Sequence, residues 1–346
     1  MKGLKNISWI VLINIFLVII AGSIVRMTGS GMGCPDWPKC FGHIIPPTME
    51  SELAYTAGKE FNKGQMVIQD EALWVANKKF VATDLFNLKD WTKYTKHDYA
   101  KFNALHTWIE YINRLFGALL GLFALIMIVL AARKRKVNSW FIILSIFQLF
   151  LILFQAWLGK LTVDTNLNPY MITYHMMGVT VMIIVQLALL SLINKEIKGV
   201  DSKTKTTFLT KFFSALAVVL MFIQIVLGTQ VRQQTDVMFK SGTPRELIPE
   251  GFDWVFLVHR SFSILIVVSL VYLFLKLKSI PKFKRPLVFL VSLTLAEILF
   301  GIILYYFEMP AFAQPIHLLL SLLLYAFFVE VYIRQLPKIS YKVIDK

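Results

Sequence analysis

Residues 115–132 read LFGALLGLFALIMIVLAA, an unbroken apolar run that passes straight into Arg133-Lys134-Arg135-Lys136. The hydrocarbon core of a bilayer is about 30 Å thick, so one helical crossing needs ~20 mostly apolar residues. The basic cluster that follows marks the side of the membrane on which this crossing ends. Seven further segments pass the same test: roughly 7–25, 139–159, 171–193, 210–230, 254–275, 286–306 and 312–333. The whole chain agrees, being 57% hydrophobic and 16% charged with a mean hydropathy of +0.63. None of these runs has the period-two alternation of a closed barrel. The expectation is an all-α integral membrane protein with eight transmembrane helices.

The net charge of +15 would suit nucleic acid if it formed one face, but it does not. The cations gather between helices 2 and 3, between 4 and 5 (Lys195, Lys198, Lys203, Lys205), and between 6 and 7 (Lys276, Lys278, Lys282, Lys284, Arg285). They recur at the termini as Lys2, Lys5, Arg334, Lys338, Lys342 and Lys346. These alternate segments share one side, which is the positive-inside pattern and places both termini in the cytoplasm. The charge is thereby assigned to the lipid bilayer, and a nucleic-acid role is excluded. Helix 1 lacks a small-residue cleavage site and reads as a retained span of a bacterial inner membrane.

One outer loop, about 26–105, is long, while the other three are short. It holds the two cysteines of the chain, Cys34 and Cys40, in GCPDWPKC. An oxidising compartment favours a disulfide; metal ligation is the competing reading, although two thiols alone make a poor closed zinc site. Met49 to Tyr99 shows no strong periodicity and is expected to be short helical turns and coil.

Three landmarks recur in order along the chain. Gly22-Ser23-Ile24-Val25-Arg26 closes helix 1 as Gly228-Thr229-Gln230-Val231-Arg232 closes helix 5. Asn113-Arg114 opens helix 2 as His259-Arg260 opens helix 6, and Gly159 precedes His175 by the same sixteen residues that separate Gly301 from His317. The pattern predicts two parallel four-helix repeats, residues 1–199 with the long loop and residues 200–346. Such repeats build their sites symmetrically.

Of six histidines, His43 and His97 fall in the outer loop, where a solvated surface role is expected. His175, His259 and His317 lie just inside helices 4, 6 and 8, at matching depths below the outer face. Ionisable side chains inside membrane helices point to function, although a neutral histidine hydrogen-bonded between helices is the plain alternative. Imidazole suits iron, copper and zinc, and no carboxylate or thiolate set for catalytic zinc accompanies these three. Two facing histidines in an apolar four-helix half suit haem, with His259 and His317 as axial ligands. Arg26, Arg114, Arg232 and Arg260 are placed to pair with haem propionates or merely to snorkel to the interface.

The first half departs from its twin. His175 matches His317, but Asn113 stands where His259 stands, with Glu110 one helical turn before it. Glu110 is a candidate acid, base or electrostatic stabiliser at the mouth of a haem pocket, or a first-turn residue favoured by the helix dipole. His106, two turns before Asn113 on the same face, is a candidate replacement ligand, although it lies ~10 Å further along the helix axis.

Several of these segments together resemble one family. GSIVRMTGSGMGCPDWPKCFGHIIPP (22–47), EYINRLFGALLG (110–121), LGKLTVDTNLNPYMITYHMMG (158–178), LVHRSF (257–262) and QPIHLLLSLLLYA (314–326) are similar to the signatures of the haem A synthases. The resemblance covers essentially the whole chain. It departs at Asn113, where the family's E-x-x-H-R motif has histidine, and in the 233–253 loop, which lacks the cysteine pair of some members. It implies oxidation of a haem O methyl to a formyl group in haem A biosynthesis for cytochrome oxidase. It also implies a resident haem b on His259 and His317, and substrate haem O near Glu110, Asn113 and His175. Cys34 and Cys40 correspond to the family's first-loop pair. Haem O synthase and a second copy of the chain remain open as partners, and the electron partner is not specified. Two other readings stay open: a quinone-linked di-haem cytochrome b, and a haem-binding or haem-transfer paralogue without catalysis.

Overall fold

A computed structural model describes residues 1–95, 101–165, 169–198 and 206–336. His97 and the basic residues Lys203, Lys205, Lys338, Lys342 and Lys346 lie outside the described residues. Among the described residues, eight helices are long and apolar enough to cross a membrane. They are α1 (Lys2–Met27), α2 (Ala104–Ala132), α3 (Trp140–Asp164), α4 (Pro169–Lys198), α5 (Phe208–Lys240), α6 (Trp254–Leu277), α7 (Pro281–Tyr306) and α8 (Ala313–Ile333). The expected architecture of eight long apolar helices is therefore observed, in a mostly helical chain.

Local chemistry sets several helix starts. Asn138 Oδ1 accepts from the Trp140 N–H at 3.0 Å, Thr207 caps α5, and Asp253 caps α6 through Val255 N–H at 2.8 Å. Pro281 opens α7, where its missing N–H is no loss. Two bounds differ most from the expected ones. The α2 helix begins at Ala104 rather than near residue 115, and α5 continues to Lys240 rather than stopping near 230. Polar residues in these turns hid the extra helix from a reading based on apolar runs. Asn113-Arg114 consequently lies within α2 rather than opening it, and Gly228–Arg232 lies within α5 rather than closing it.

The chain forms two compact units. One comprises Met1–Ile20, Ala118–Leu158 and Pro169–Lys346. Here α5 packs on α6 and α8, α7 on α8, and α4 on both α5 and α8. Side chains such as Leu189, Met221, Leu273, Leu290, Leu322 and Phe328 fill the interior. Many large apolar residues face outward, Ile264, Leu265, Val268 and Val271 on α6 among them, as a lipid-facing surface requires.

The second unit comprises Ala21–Gly117 and Gly159–Asn168. Its loop region holds short helical turns as expected, at Glu50–Leu53 and Leu88–Asp90, but strands where coil was expected. Strands β1 (Glu60–Phe61) and β4 (Phe80–Val81) pair with each other, and β2 (Met66–Gln69), β3 (Ala72–Ala76) and β5 (Trp91–Lys93) form a second antiparallel sheet. In that sheet Met66 and Leu73 join a small core with Cys34, Cys40, Phe41 and Leu53. Val67 and Ala76 join a second core with Phe61, Ala82 and Trp91. Both faces are covered, so the strand sequences lose the polar alternation that would have revealed them. The β2–β3 turn is Asp70-Glu71, both at positive φ, a type I′ geometry without its usual glycine signal.

Candidate functional site

The second unit builds a polar collar on the start of α2. Gly33 lies directly on this helix: a Cβ there would come within 2.5 Å of the His106 carbonyl oxygen. Thr107 Oγ1 donates to Gly33 O at 2.9 Å. The next residue, Cys34, donates its N–H to Glu110 Oε2 at 2.9 Å, and the disulfide Cys34–Cys40 closes the loop. Glu110 is only 4% exposed, and its other oxygen accepts from Arg114 Nη2 at 2.5 Å. Arg114 Nη1 reaches two loop carbonyls, Asp36 O at 2.6 Å and Lys39 O at 2.9 Å. Glu110 lies in the second turn of α2, so the first-turn reading of this residue does not hold.

The collar continues outward. Asp36 Oδ2 accepts from the Gly42 N–H at 2.9 Å. Burial raises the Asp36 pKa, against the lowering effect of its backbone hydrogen bonds and of Arg114. Tyr94 donates to Pro35 O at 2.7 Å, and burial beside Asp36 and Asp164 pushes its phenol up to about 12. His43 is half-buried rather than fully solvated, and its backbone pairs with that of Cys40 in both directions. Burial, with Lys59 nearby, lowers its pKa. Arg26 occupies the last turn of α1. Gly22 faces Asn113, with 3.7 Å between an ideal Cβ and Asn113 Oδ1. That oxygen is buried and has no hydrogen-bond partner among the described residues.

The first unit holds the three membrane histidines, each in the second turn of its helix: His175 in α4, His259 in α6 and His317 in α8. Their Nδ1 atoms are all buried without a hydrogen-bond partner among the described residues. The side chains are not fully buried, His317 retaining 24% exposure. Glycines on neighbouring helices make room for two of the rings. A Cβ on Gly228 of α5 would come 3.1 Å from His259 Cε1, and one on Gly301 of α7 would come 3.6 Å from His317 Cε1. Gln224 Nε2 donates to the His259 carbonyl at 2.9 Å and fixes that turn. His259 and His317 belong to the same compact unit. Imidazoles with buried Nδ1 edges, seated against side-chain-free glycines, fit the axial ligation of a planar macrocycle.

The arginines differ in their commitments. Arg232 Nε lies 2.9 Å from Asp236 Oδ1. Arg260 is exposed and extends over the Phe256 ring at 6.0 Å. Sequence reasoning missed Glu297, whose Oε1 lies 3.3 Å from His317 Nδ1. Its signal was available: it is the lone acid within the apolar α7 sequence, and such residues mark function.

Residues 5–329 match the family described as cytochrome oxidase assembly protein (COX15-CtaA). A "Heme A synthase" of Shewanella oneidensis is 30% identical over 229 residues, covering 64% of this chain and 56% of that protein. Another, from Ehrlichia canis, is 25% identical over 340 residues, covering 91% of this chain and 88% of that protein. A third, from Shouchella clausii, is 24% identical over 308 residues, covering 86% and 83%.

Proposed function

The chain belongs to the cytochrome oxidase assembly protein family, and from that premise we propose that it is a haem A synthase, a membrane oxidoreductase converting the methyl group of haem O to a formyl group. The observation that carries this reading is the His259–His317 pair, with its buried Nδ1 edges and its two glycine seats. The names of the bacterial relatives point the same way.

In this proposal His259 and His317 ligate a resident haem b, which supplies one-electron redox chemistry when bound. Arg260, with its exposed guanidinium, binds a propionate, and Arg26 and Arg232 are the further candidates for that task. Arg114 acts through the collar, where its donors already meet Glu110 and the loop carbonyls. His175 ligates the iron of the substrate haem O. Glu110 presents a fixed negative charge that stabilises positive charge developing at the oxidised methyl. Asn113 hydrogen-bonds water or a polar ligand through its unpartnered oxygen.

We also propose two parallel repeats, 1–199 and 200–346, in a bacterial inner membrane with both termini cytoplasmic. Support comes from Gly22 seating Asn113 as Gly228 seats His259, and from the basic residues at the inner helix ends. Asn113 favours one second reading, haem binding or transfer without conversion, because an amide is a weak iron ligand. Co-expression with haem O synthase in a host lacking haem A, followed by mass identification of the extracted haems, separates the two. Haem A or its hydroxylated precursor is expected; haem O and haem B alone would overturn the synthase reading.

A further inference from the structure

A buried carboxyl in a membrane helix is expensive unless it serves a partner. Glu297 of α7 has such a partner on one side only. Its Oε1 lies 3.3 Å from His317 Nδ1, short of full hydrogen-bond alignment, while its Oε2 is buried with none among the described residues. Metal-bound imidazoles commonly donate their other N–H to a carboxylate, which fixes the ring's orientation and strengthens the ligating nitrogen as a donor.

The same register recurs earlier in the chain. Glu297 precedes His317 by twenty residues and Gly301 by four; Gln155 of α3 precedes His175 by twenty and Gly159 by four. Gln155 is 8% exposed, and both ends of its amide are buried without a partner among the described residues, as is His175 Nδ1. Its Nε2 occupies the space above Gly178, only 1.7 Å from where a Cβ would stand. Gly178 lies one turn after His175 on the same face of α4. The glycine thus admits the amide beside the turn that carries the histidine.

We propose that Glu297 and Gln155 are the positioning residues of two of the three iron-ligating histidines, accepting the Nδ1–H of His317 and of His175 respectively. The inference rests on the haem-ligation reading above and deepens it. A carboxylate accepts this proton more strongly than an amide, so the exchange of Glu for Gln between the two sites makes the irons unequal. The iron held by His317 receives the stronger donor and is stabilised in its oxidised state. The iron held by His175 receives the weaker donor and is the stronger oxidant of the two.

The test is a redox titration and low-temperature electron paramagnetic resonance on the purified, haem-loaded full-length protein. Glu297→Gln is expected to keep the low-spin haem at wild-type stoichiometry while favouring the reduced form at least tenfold. For a one-electron couple that is a rise of about 59 mV in midpoint potential. Glu297→Leu is expected to raise it further and to broaden the low-spin signal, as a ring freed to rotate would. Potentials and signals unchanged in both variants would overturn the proposal. Should the α7 variants fail to fold, Gln155→Glu decides it, with an expected shift of the His175-bound iron in the opposite direction and no shift overturning the idea. Failure of the haem-ligation reading itself looks different: purified wild-type protein would then show no low-spin haem at all.

Discussion

The collar around Glu110 and the pocket around His259 and His317 are both polar clusters in a largely apolar protein, but their polar atoms are used in opposite ways. In the collar, both Glu110 oxygens accept hydrogen bonds and both terminal nitrogens of Arg114 donate. In the histidine pocket, Nδ1 of each ring and Oε2 of Glu297 are buried without a hydrogen bond among the described residues. A buried polar group left unmet costs roughly 1–3 kcal/mol, and a helical bundle in lipid has no water at hand to relieve it. The bonds of Glu110 and Arg114 build structure, whereas the histidine pocket keeps groups that the proposed ligation and its positioning contacts would engage.

The largest expected effect tests this distinction directly. Replacing His259 or His317 with Ala should abolish the low-spin spectrum of the resident haem in the purified protein. If both variants keep the wild-type spectrum, the pocket is not the ligand set, and its unmet atoms serve some other group.

Next in size is Glu110→Gln, which probes whether the collar does more than hold itself together. Haem A formation is expected to fall at least tenfold while the low-spin haem of His259 and His317 persists. The change also sets an amide N–H against either the Cys34 N–H or Arg114, so part of the loss is structural. A double-mutant cycle with Arg114→Gln separates the contributions. Coupling seen in thermal stability reports the strut, and coupling seen only in product formation reports the chemistry. Near-normal product from Glu110→Gln would reduce the residue to a strut.

The two regions also differ in how far the sequence reveals them. The eight helices are legible because an apolar run of bilayer length is seldom anything but a membrane span, and His175, His259 and His317 stand out as ionisable residues within them. The collar is less legible, because its bonds join residues more than seventy positions apart: Cys34 to Glu110, and Asp36 to Arg114. The sheet in the same unit is hidden because strands such as Ala72–Ala76 are covered on both faces and turn through Asp70-Glu71 without glycine. Glu297 was legible as the lone acid of α7 and was missed, whereas Gln155 is inconspicuous because a single neutral polar residue in an apolar helix acquires meaning only once its neighbour is known.

A smaller effect is expected from the disulfide. Replacing Cys34 and Cys40 together with Ser opens a loop of sequence separation 6 and should cost about 2 kcal/mol by the loop-entropy argument. The Cys34 N–H belongs to the backbone, so its bond to Glu110 survives the substitution. Limited proteolysis should therefore show faster cleavage near residues 34–40, with the haem spectrum intact. Cleavage at the wild-type rate would mean that Arg114 and Glu110 hold the loop unaided.

The smallest effect is expected at His106, and it decides how the substitution at Asn113 is accommodated. For His106 to take over as an iron ligand, the start of α2 would have to slide, because the two residues are separated by ~10 Å along the axis. The collar opposes that movement at two points. Thr107 holds Gly33 O at 2.9 Å. Gly33 itself lies so close to the His106 carbonyl that even a Cβ would collide with it. Sliding the helix would break this packing and strain the buried Glu110–Cys34 bond. His106→Ala should thus leave stability within about 0.5 kcal/mol of wild type and leave the spectrum of substrate-loaded protein unchanged. A substrate iron with one strong protein ligand, His175, would then give a high-spin signal that disappears in His175→Ala. Two low-spin signals in the wild type, one of them lost in His106→Ala, would show instead that the collar yields and that His106 replaces the missing imidazole.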